Sequence, residues 1–142
     1  MFFGRYAHSL DDKGRLVIPS KMREEAGDKI FIMKGFDGCL SIFKEESFER
    51  LVKEFESLPY NKKSTRDYLR LQFSSVCELS FDKSGRVQIP AQLLAKYQIG
   101  KEVVVIGAGD RIEVWDKKAF AKYEAEAEAS FEETAEAIGN ND

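Results

Sequence analysis

The chain repeats one short motif at about half its length. Residues 11–19, DDKGRLVIP, recur at 82–90 as DKSGRVQIP, so that an Asp, a Gly, an Arg, an Ile and a Pro return 71 residues later. A second block, 35–43, resembles 107–115 at an offset of 72 residues. Repetition at this spacing predicts two copies of one small unit, each of about 45 residues. Because so small a core is barely stable alone, we expect the two units to fold together.

The charge of the chain is unevenly distributed. The formal net charge is −3, which taken alone argues against binding to nucleic acid. Residues 122–142 hold one base and seven acids, however, whereas 1–121 hold 21 bases and 18 acids. The body of the protein is therefore mildly basic, at +3, and the tail is acidic, at −6. Since the local field governs contact with phosphates, nucleic-acid binding stays open.

Composition also narrows the compartment and the cofactors. Hydrophobic residues make up 43% of the chain, enough for a core, but no apolar run reaches 18 residues and the first residues lack a signal-peptide pattern, so no membrane association is expected. Cys39 and Cys77 are isolated, which favours a reducing cytoplasm. His8 is the only histidine, so we expect no metal and no cofactor.

Hydrophobic periodicity predicts an α+β fold that is mainly β. The two strands on either side of the turn at 11–14 are expected to pair as a hairpin, and the second unit repeats the order of the first. The predicted strands are 3–9, 15–18, 30–34, 39–43, 76–79, 86–89, 103–106 and 111–115, and the predicted helices are 20–26, 45–58, 64–73, 91–97 and one from about 116. The predicted organisation is a first unit at 1–58, a linking helix within 59–75, a second unit at 76–121 and an acidic tail, helical or disordered, at 122–142.

The repeated turns carry the residues that suggest a function. An Asp and a Gly are common in turns, and a surface ion pair that braces the turn would account for one copy. Turn chemistry does not explain why Arg15 and Arg86 occupy the same position twice. Two guanidinium groups on related turns match guanine O6 and N7, or phosphate oxygens. The predicted DNA-binding residues are Arg15, Arg86, Lys13 and Lys83, with Arg5 as a secondary candidate, while Asp11 and Asp82 orient the arginines and Gly14 and Gly85 shape the turns.

No motif of the chain indicates catalysis. P-loop, G-x-S-x-G and H-E-x-x-H sequences are missing, and no nucleophile is paired with a base, so we expect neither an enzyme nor a small-molecule substrate. A protein-binding module, such as an assembly scaffold or an antitoxin-like partner, is the alternative to DNA binding.

The two D-x-x-x-R turns, each followed by an apolar residue, a variable residue, Ile and Pro, resemble those of the MraZ family of bacterial regulators. The opening FGRYAHSLDDKGR, the GFDGCL block and the late VVVIGAGDRIEVW block extend the resemblance from residue 1 to about 115. It implies two tandem SpoVT/AbrB-type swapped-hairpin units that form one pseudo-two-fold barrel. Asp11, Arg15, Asp82 and Arg86 match the family's D-x-x-x-R residues.

The resemblance also implies a function and partners. Such proteins are sequence-specific DNA-binding transcriptional regulators that act at short G-containing direct repeats of double-stranded DNA, upstream of the division and cell-wall gene cluster. They assemble into ring-shaped homo-oligomers. A cytoplasmic protein associated with the nucleoid follows from the same resemblance.

Overall fold

The computed structural model of the chain describes residues 1–139, which form eight strands and six helices in an α+β fold. The predicted α+β class is confirmed, since a mostly antiparallel sheet is combined with helices, but the fold is not mainly β, because the helices of the described chain contain more residues than its strands. Residues 140–142 of the predicted tail lie outside the described part. The strands are β1 (Arg5–Ser9), β2 (Arg15–Val17), β3 (Lys29–Lys34), β4 (Leu40–Lys44), β5 (Cys77–Ser80), β6 (Arg86–Gln88), β7 (Glu102–Gly107) and β8 (Ile112–Asp116). The helices are α1 (Ser20–Ala26), α2 (Glu45–Glu56), α3 (Lys63–Ser75), α4 (Ala91–Lys96), α5 (Lys117–Ala129) and α6 (Phe131–Gly139).

The strand pairings have an approximate two-fold symmetry. Six strands form one sheet in the order β1-β7-β8-β4-β3-β5, and β2 pairs with β6 in a separate two-stranded ribbon. Exchanging each strand with its counterpart in the other half (β1 with β5, β2 with β6, and so on) reverses the sheet order and leaves every pairing unchanged. Most of these pairings join the first half of the chain to the second.

The prediction that the strands on either side of each D-x-x-x-R turn pair as a hairpin is wrong. The first turn is present, because the Asp11 N–H donates to the Arg15 carbonyl at 3.1 Å and the Gly14 N–H to the Asp11 carbonyl at 3.0 Å. Beyond it, β1 pairs with β7 and β2 pairs with β6. Local patterns predict strands but not their partners, and here burial selects the partner: Leu16 lies opposite Val87, and both are fully buried.

One core contains side chains from both halves of the chain. The ribbon contributes Leu16 and Val87, and strands of the large sheet from each half close over them. Because each half covers the apolar side chains of the other, this shared core is complete only when both halves are folded. The residues of this core with no more than 1% exposure are Leu16, Ile18, Ile30, Ile32, Leu40, Ile42, Val87, Ile89, Val103, Val105, Ile112 and Val114.

The acidic tail begins as regular helix packed on the body. The helix predicted from about 116 is present as α5, which Asp116 caps by accepting the Ala119 N–H at 3.2 Å. Phe120 is buried against Trp115, with ring centroids 5.2 Å apart, whereas α6 buries none of its residues. Across residues 1–139, no helix combines the length and apolarity needed to cross a bilayer.

Candidate nucleic-acid interface

The first repeated turn is held by a single carboxylate. Asp11 Oδ1 accepts the backbone N–H groups of Lys13, at 3.0 Å, and of Arg15, at 2.8 Å. Gly14 has a φ of 75°, which L side chains rarely adopt. The turn requires an Asp to accept the two backbone N–H groups and a Gly to adopt the positive φ. These two positions are therefore explained by the turn alone.

The second turn reproduces this geometry. Asp82 Oδ1 accepts the N–H groups of Ser84 and Arg86, both at 2.9 Å, and Gly85 has a φ of 74°. The exchange of Lys for Ser before the glycine leaves the turn unchanged, because only the backbone of that residue is used.

Each carboxylate also holds the guanidinium of its own turn. Arg15 Nε donates to Asp11 Oδ2 at 2.5 Å, and Arg86 Nε donates to Asp82 Oδ2 at 2.9 Å. Both arginine side chains are 31% exposed, so they are neither core residues nor freely solvated. Among residues 1–139, no acceptor takes a hydrogen bond from the Nη groups of either arginine. The end of each guanidinium, with two parallel donors, is therefore available to a ligand.

The ribbon brings the two arginines onto one face. Arg15 lies opposite Gln88 and Arg86 opposite Val17, so the arginines occupy diagonal positions across β2 and β6. Arg86 Nη1 is 4.0 Å from Asp11 Oδ2, the carboxylate of the other turn. Because Leu16 faces the core, its neighbours along the strand face outward. The outer face of the ribbon carries two oriented guanidinium groups, one from each half.

The local hydrogen bonds keep both carboxylates ionised. The hydrogen bond from the Arg15 backbone N–H lowers the pKa of Asp11 the most. The Arg15 side chain and the Lys13 N–H also lower this pKa, whereas partial desolvation raises it. The pKa of Asp82 is lowered in the same way, first by the Arg86 backbone N–H. The ion pairs that orient the arginines therefore persist throughout the neutral range.

The two lysines lie at the tips of the turns. Both Lys13 and Lys83 are exposed, as phosphate contacts would require. The Lys13 carbonyl accepts a hydrogen bond from Gln88 Nε2 at 3.0 Å, which ties the first turn to β6. Sequence reasoning missed Gln88; strict alternation from the buried Val87 places this amide on the outer face of the ribbon.

Arg5 is not brought to the ribbon face. It lies on β1 of the large sheet, where its guanidinium forms a two-pronged ion pair with Glu124 of α5. Its Cζ lies 5.2 Å from the centre of the Phe120 ring. The structure thus ties this arginine to the tail helix, apart from Arg15 and Arg86. In the described part of the chain, no group of three or more potential ligands could hold a metal.

Comparison with known proteins identifies the family of the chain. The family model described as "MraZ protein, putative antitoxin-like" matches residues 1–71 and again 73–141. A protein from Halothermothrix orenii called transcriptional regulator MraZ is 43% identical over 138 residues, which cover 97% of this chain and 96% of the relative. Proteins of the same name from Heliobacterium modesticaldum and Arthrobacter sp. (strain FB24) are 40% and 42% identical over 138 residues; these cover 97% of this chain in both cases, and 96% and 97% of the relatives. The chain belongs to the MraZ family, as its repeated turns predict.

Proposed function

We propose that the chain is a non-enzymatic transcriptional regulator that recognises double-stranded DNA through the outer face of the ribbon. The observation that carries this proposal is the pair of guanidinium groups, Arg15 and Arg86, each held at Nε by its own carboxylate and each with Nη groups that donate no hydrogen bond within the described chain. The names of its relatives support the same class of function.

The geometry suits readout in the major groove. That groove admits a two-stranded β-ribbon, and an arginine presenting two parallel donors matches the O6 and N7 acceptors of guanine. Because Asp11 and Asp82 hold the Nε atoms, the Nη groups donate and little rotamer freedom is lost on binding. Lys13 and Lys83 contact phosphates on either side and supply affinity without sequence preference.

The proposed architecture is a pair of tandem SpoVT/AbrB-type units that exchange hairpins and close one pseudo-two-fold barrel. The first unit spans 1–58 with its trailing helix, the linking helix lies within 59–75, the second unit spans 76–121 and the acidic tail is 122–142. The symmetric strand pairings and the shared core support this division, because each unit completes the other.

Affinity in this proposal requires several chains. Each arginine–guanine pair contributes only about 1–3 kcal/mol of discrimination, too little for a stable complex from one ribbon. A ring-shaped homo-oligomer on G-containing direct repeats multiplies the contacts through effective concentration. The proposed operator lies upstream of the division and cell-wall gene cluster, and the protein acts in the cytoplasm at the nucleoid. Sedimentation as a monomer at micromolar concentration would contradict the ring.

The alternative is a protein-binding or antitoxin-like module, which the description of the matching family favours. The two functions differ in what the ribbon touches. A footprint of the purified protein on the DNA upstream of its own gene tests the choice directly. Protection at regularly spaced G-containing repeats supports the regulator, whereas no protection above that on a scrambled duplex supports the module.

A further inference from the structure

Arg23 lies directly on the second repeated turn. It belongs to α1, in the first half of the chain, but its guanidinium covers Gly85 in the second. A methyl group placed on Gly85 would lie 1.8 Å from Arg23 Nη1 and 2.5 Å from its Cζ. No side chain fits between them while the guanidinium holds this position, and Gly85 is buried although it occupies a turn. The cation is therefore seated against the backbone that positions Arg86.

The corresponding place on the first turn is apolar. Leu94 of α4 follows Arg23 by 71 residues, the offset that relates the two turns. A methyl group placed on Gly14 would lie 3.4 Å from Leu94 Cδ1. The two turns have the same hydrogen bonds and the same φ, yet one is covered by a cation and the other by an isobutyl group. The pseudo-two-fold symmetry is broken at this position.

The surroundings leave Arg23 without a fixed partner. It lines an open groove of about 540 Å³ between α1 and the second turn, together with Glu24, Asp28 and Lys83. Within residues 1–139, its guanidinium makes neither a hydrogen bond nor an ion pair within 4 Å with these carboxylates or any other acceptor. Asp82, the remaining acid of the groove, is engaged by Arg86. A free anion in the groove would be repelled by the carboxylates of Glu24 and Asp28. The groove therefore suits a phosphate that is part of a larger ligand and is held in position by contacts elsewhere.

We propose that Arg23 contacts a DNA phosphate beside the second turn, where the first turn has no equivalent, and so gives each chain a direction on the duplex. This inference rests on the proposed DNA-binding function and deepens it. A symmetric ribbon would bind a site equally well in either orientation, whereas an extra phosphate contact at one end favours one of them. Direct repeats, which all point the same way, require such a preference in every chain of a ring.

The test compares Arg23→Leu, which copies the first turn, with Leu94→Arg, which copies the second. Binding is measured against salt on a duplex from upstream of the protein's own gene and on a scrambled duplex. Arg23→Leu should weaken binding to both duplexes about equally. It should also reduce the steepness of log K against log salt by about 0.9 for each bound chain. Leu94→Arg should increase that slope by a similar amount. Arg23→Lys, which keeps the charge, should retain most of the wild-type slope.

Ethylation interference on the same duplex locates the contact. Arg23→Leu should abolish interference at one phosphate on one side of each repeat, and Leu94→Arg should create it on the opposite side. Lys101→Ala is the matched control, because Lys101 lines the groove of the first turn without lying on its glycine. This variant should not change the interference at the phosphate that Arg23 contacts. If Arg23→Leu melts early, Arg23→Gln replaces it.

The inference is overturned if folded Arg23→Leu or Arg23→Gln keeps the wild-type slope and interference pattern, or if Leu94→Arg gains no contact. These outcomes differ from failure of the proposed function itself. If the proposed function is wrong, the wild-type protein would not distinguish the two duplexes, and Arg86→Ala would bind both duplexes as the wild type does.

Discussion

The carboxylates of the two turns combine a structural and a positioning role. One oxygen of Asp82 accepts two backbone N–H groups, and the other accepts the Nε of Arg86. Its counterpart Asp11 divides its oxygens in the same way. The repeat of the motif predicted a carboxylate beside each arginine, but it could not predict how the two oxygens are divided.

Asp82→Asn separates these two roles. The amide oxygen can still accept the backbone N–H groups, but the amide nitrogen cannot accept from Arg86 Nε. We expect the melting temperature to stay close to that of the wild type and the preference for the G-containing duplex over the scrambled one to fall. Asp82→Ala, which removes both carboxylate oxygens, should lower the melting temperature as well as the preference. Thermal melts and parallel binding titrations distinguish the variants, and an Asp82→Asn protein with full preference would contradict the orienting role.

The ribbon depends on the pairing of two three-residue strands across the halves. Leu16 and Val87 face each other at its centre with no exposed surface, which explains why such short strands are stable. The helices were easier to predict than these pairings: α2 follows directly from apolar spacings of three and four, whereas strand partners depend on contacts 71 residues apart in sequence. The turns were also predictable, because each depends on an Asp and a Gly close together in sequence.

Leu16→Ala should therefore destabilise the whole protein. Loss of a fully buried leucine leaves a cavity and costs about 2–5 kcal/mol of unfolding free energy. The matched control is Val17→Ala, next along the same strand but 41% exposed, which should change stability by less than about 0.5 kcal/mol. Urea denaturation measures both; equal midpoints for the two variants would show that the ribbon is not part of the core.

The tail should be dispensable for the fold, although its first residues contact the body. Tyr123 lies against Trp115, with ring centroids 4.8 Å apart, an aromatic pair of about 0.5–1.5 kcal/mol. A chain ending before residue 122 should fold with a slightly lower melting temperature, and one ending at 130 should melt as the full chain does. Removing the acids should also strengthen binding to scrambled DNA, since they repel phosphates. A shorter chain that fails to fold would contradict this assignment.

The whole molecule depends on exchange between its halves. An approximate two-fold relation and a common core were anticipated from the repeat, since units of about 45 residues rarely hold a core alone, but the strand partners were not. The departures from symmetry were not anticipated. The engagement of Arg5 by Glu124 and the contact of Arg23 with Gly85 join residues distant in sequence, and no local pattern reports such contacts.

Residues 1–58 expressed alone should not form a cooperative monomer. In that fragment β1, β2 and β3 lose β7, β6 and β5, and Leu16 loses its cover. We expect aggregation, self-association or a broad, non-cooperative melt by circular dichroism. Mixing with residues 59–142 should restore a sharp transition. A cooperative, monomeric fragment would contradict the shared core.

The most direct test of the central claim is the binding of a folded Arg15→Ala/Arg86→Ala protein to its operator and to a scrambled duplex. Each substitution should cost about 1–3 kcal/mol per chain and relax the preference for the G-containing repeat, because each removes one of the bidentate contacts to guanine that we propose. Arg50→Ala on α2, outside the ribbon, is the control and should bind as the wild type does. With melting temperature and oligomeric state retained, the account predicts that the double variant binds both duplexes with similar, weak affinity. Unchanged affinity and unchanged preference would contradict it and leave the arginines as braces of the turns.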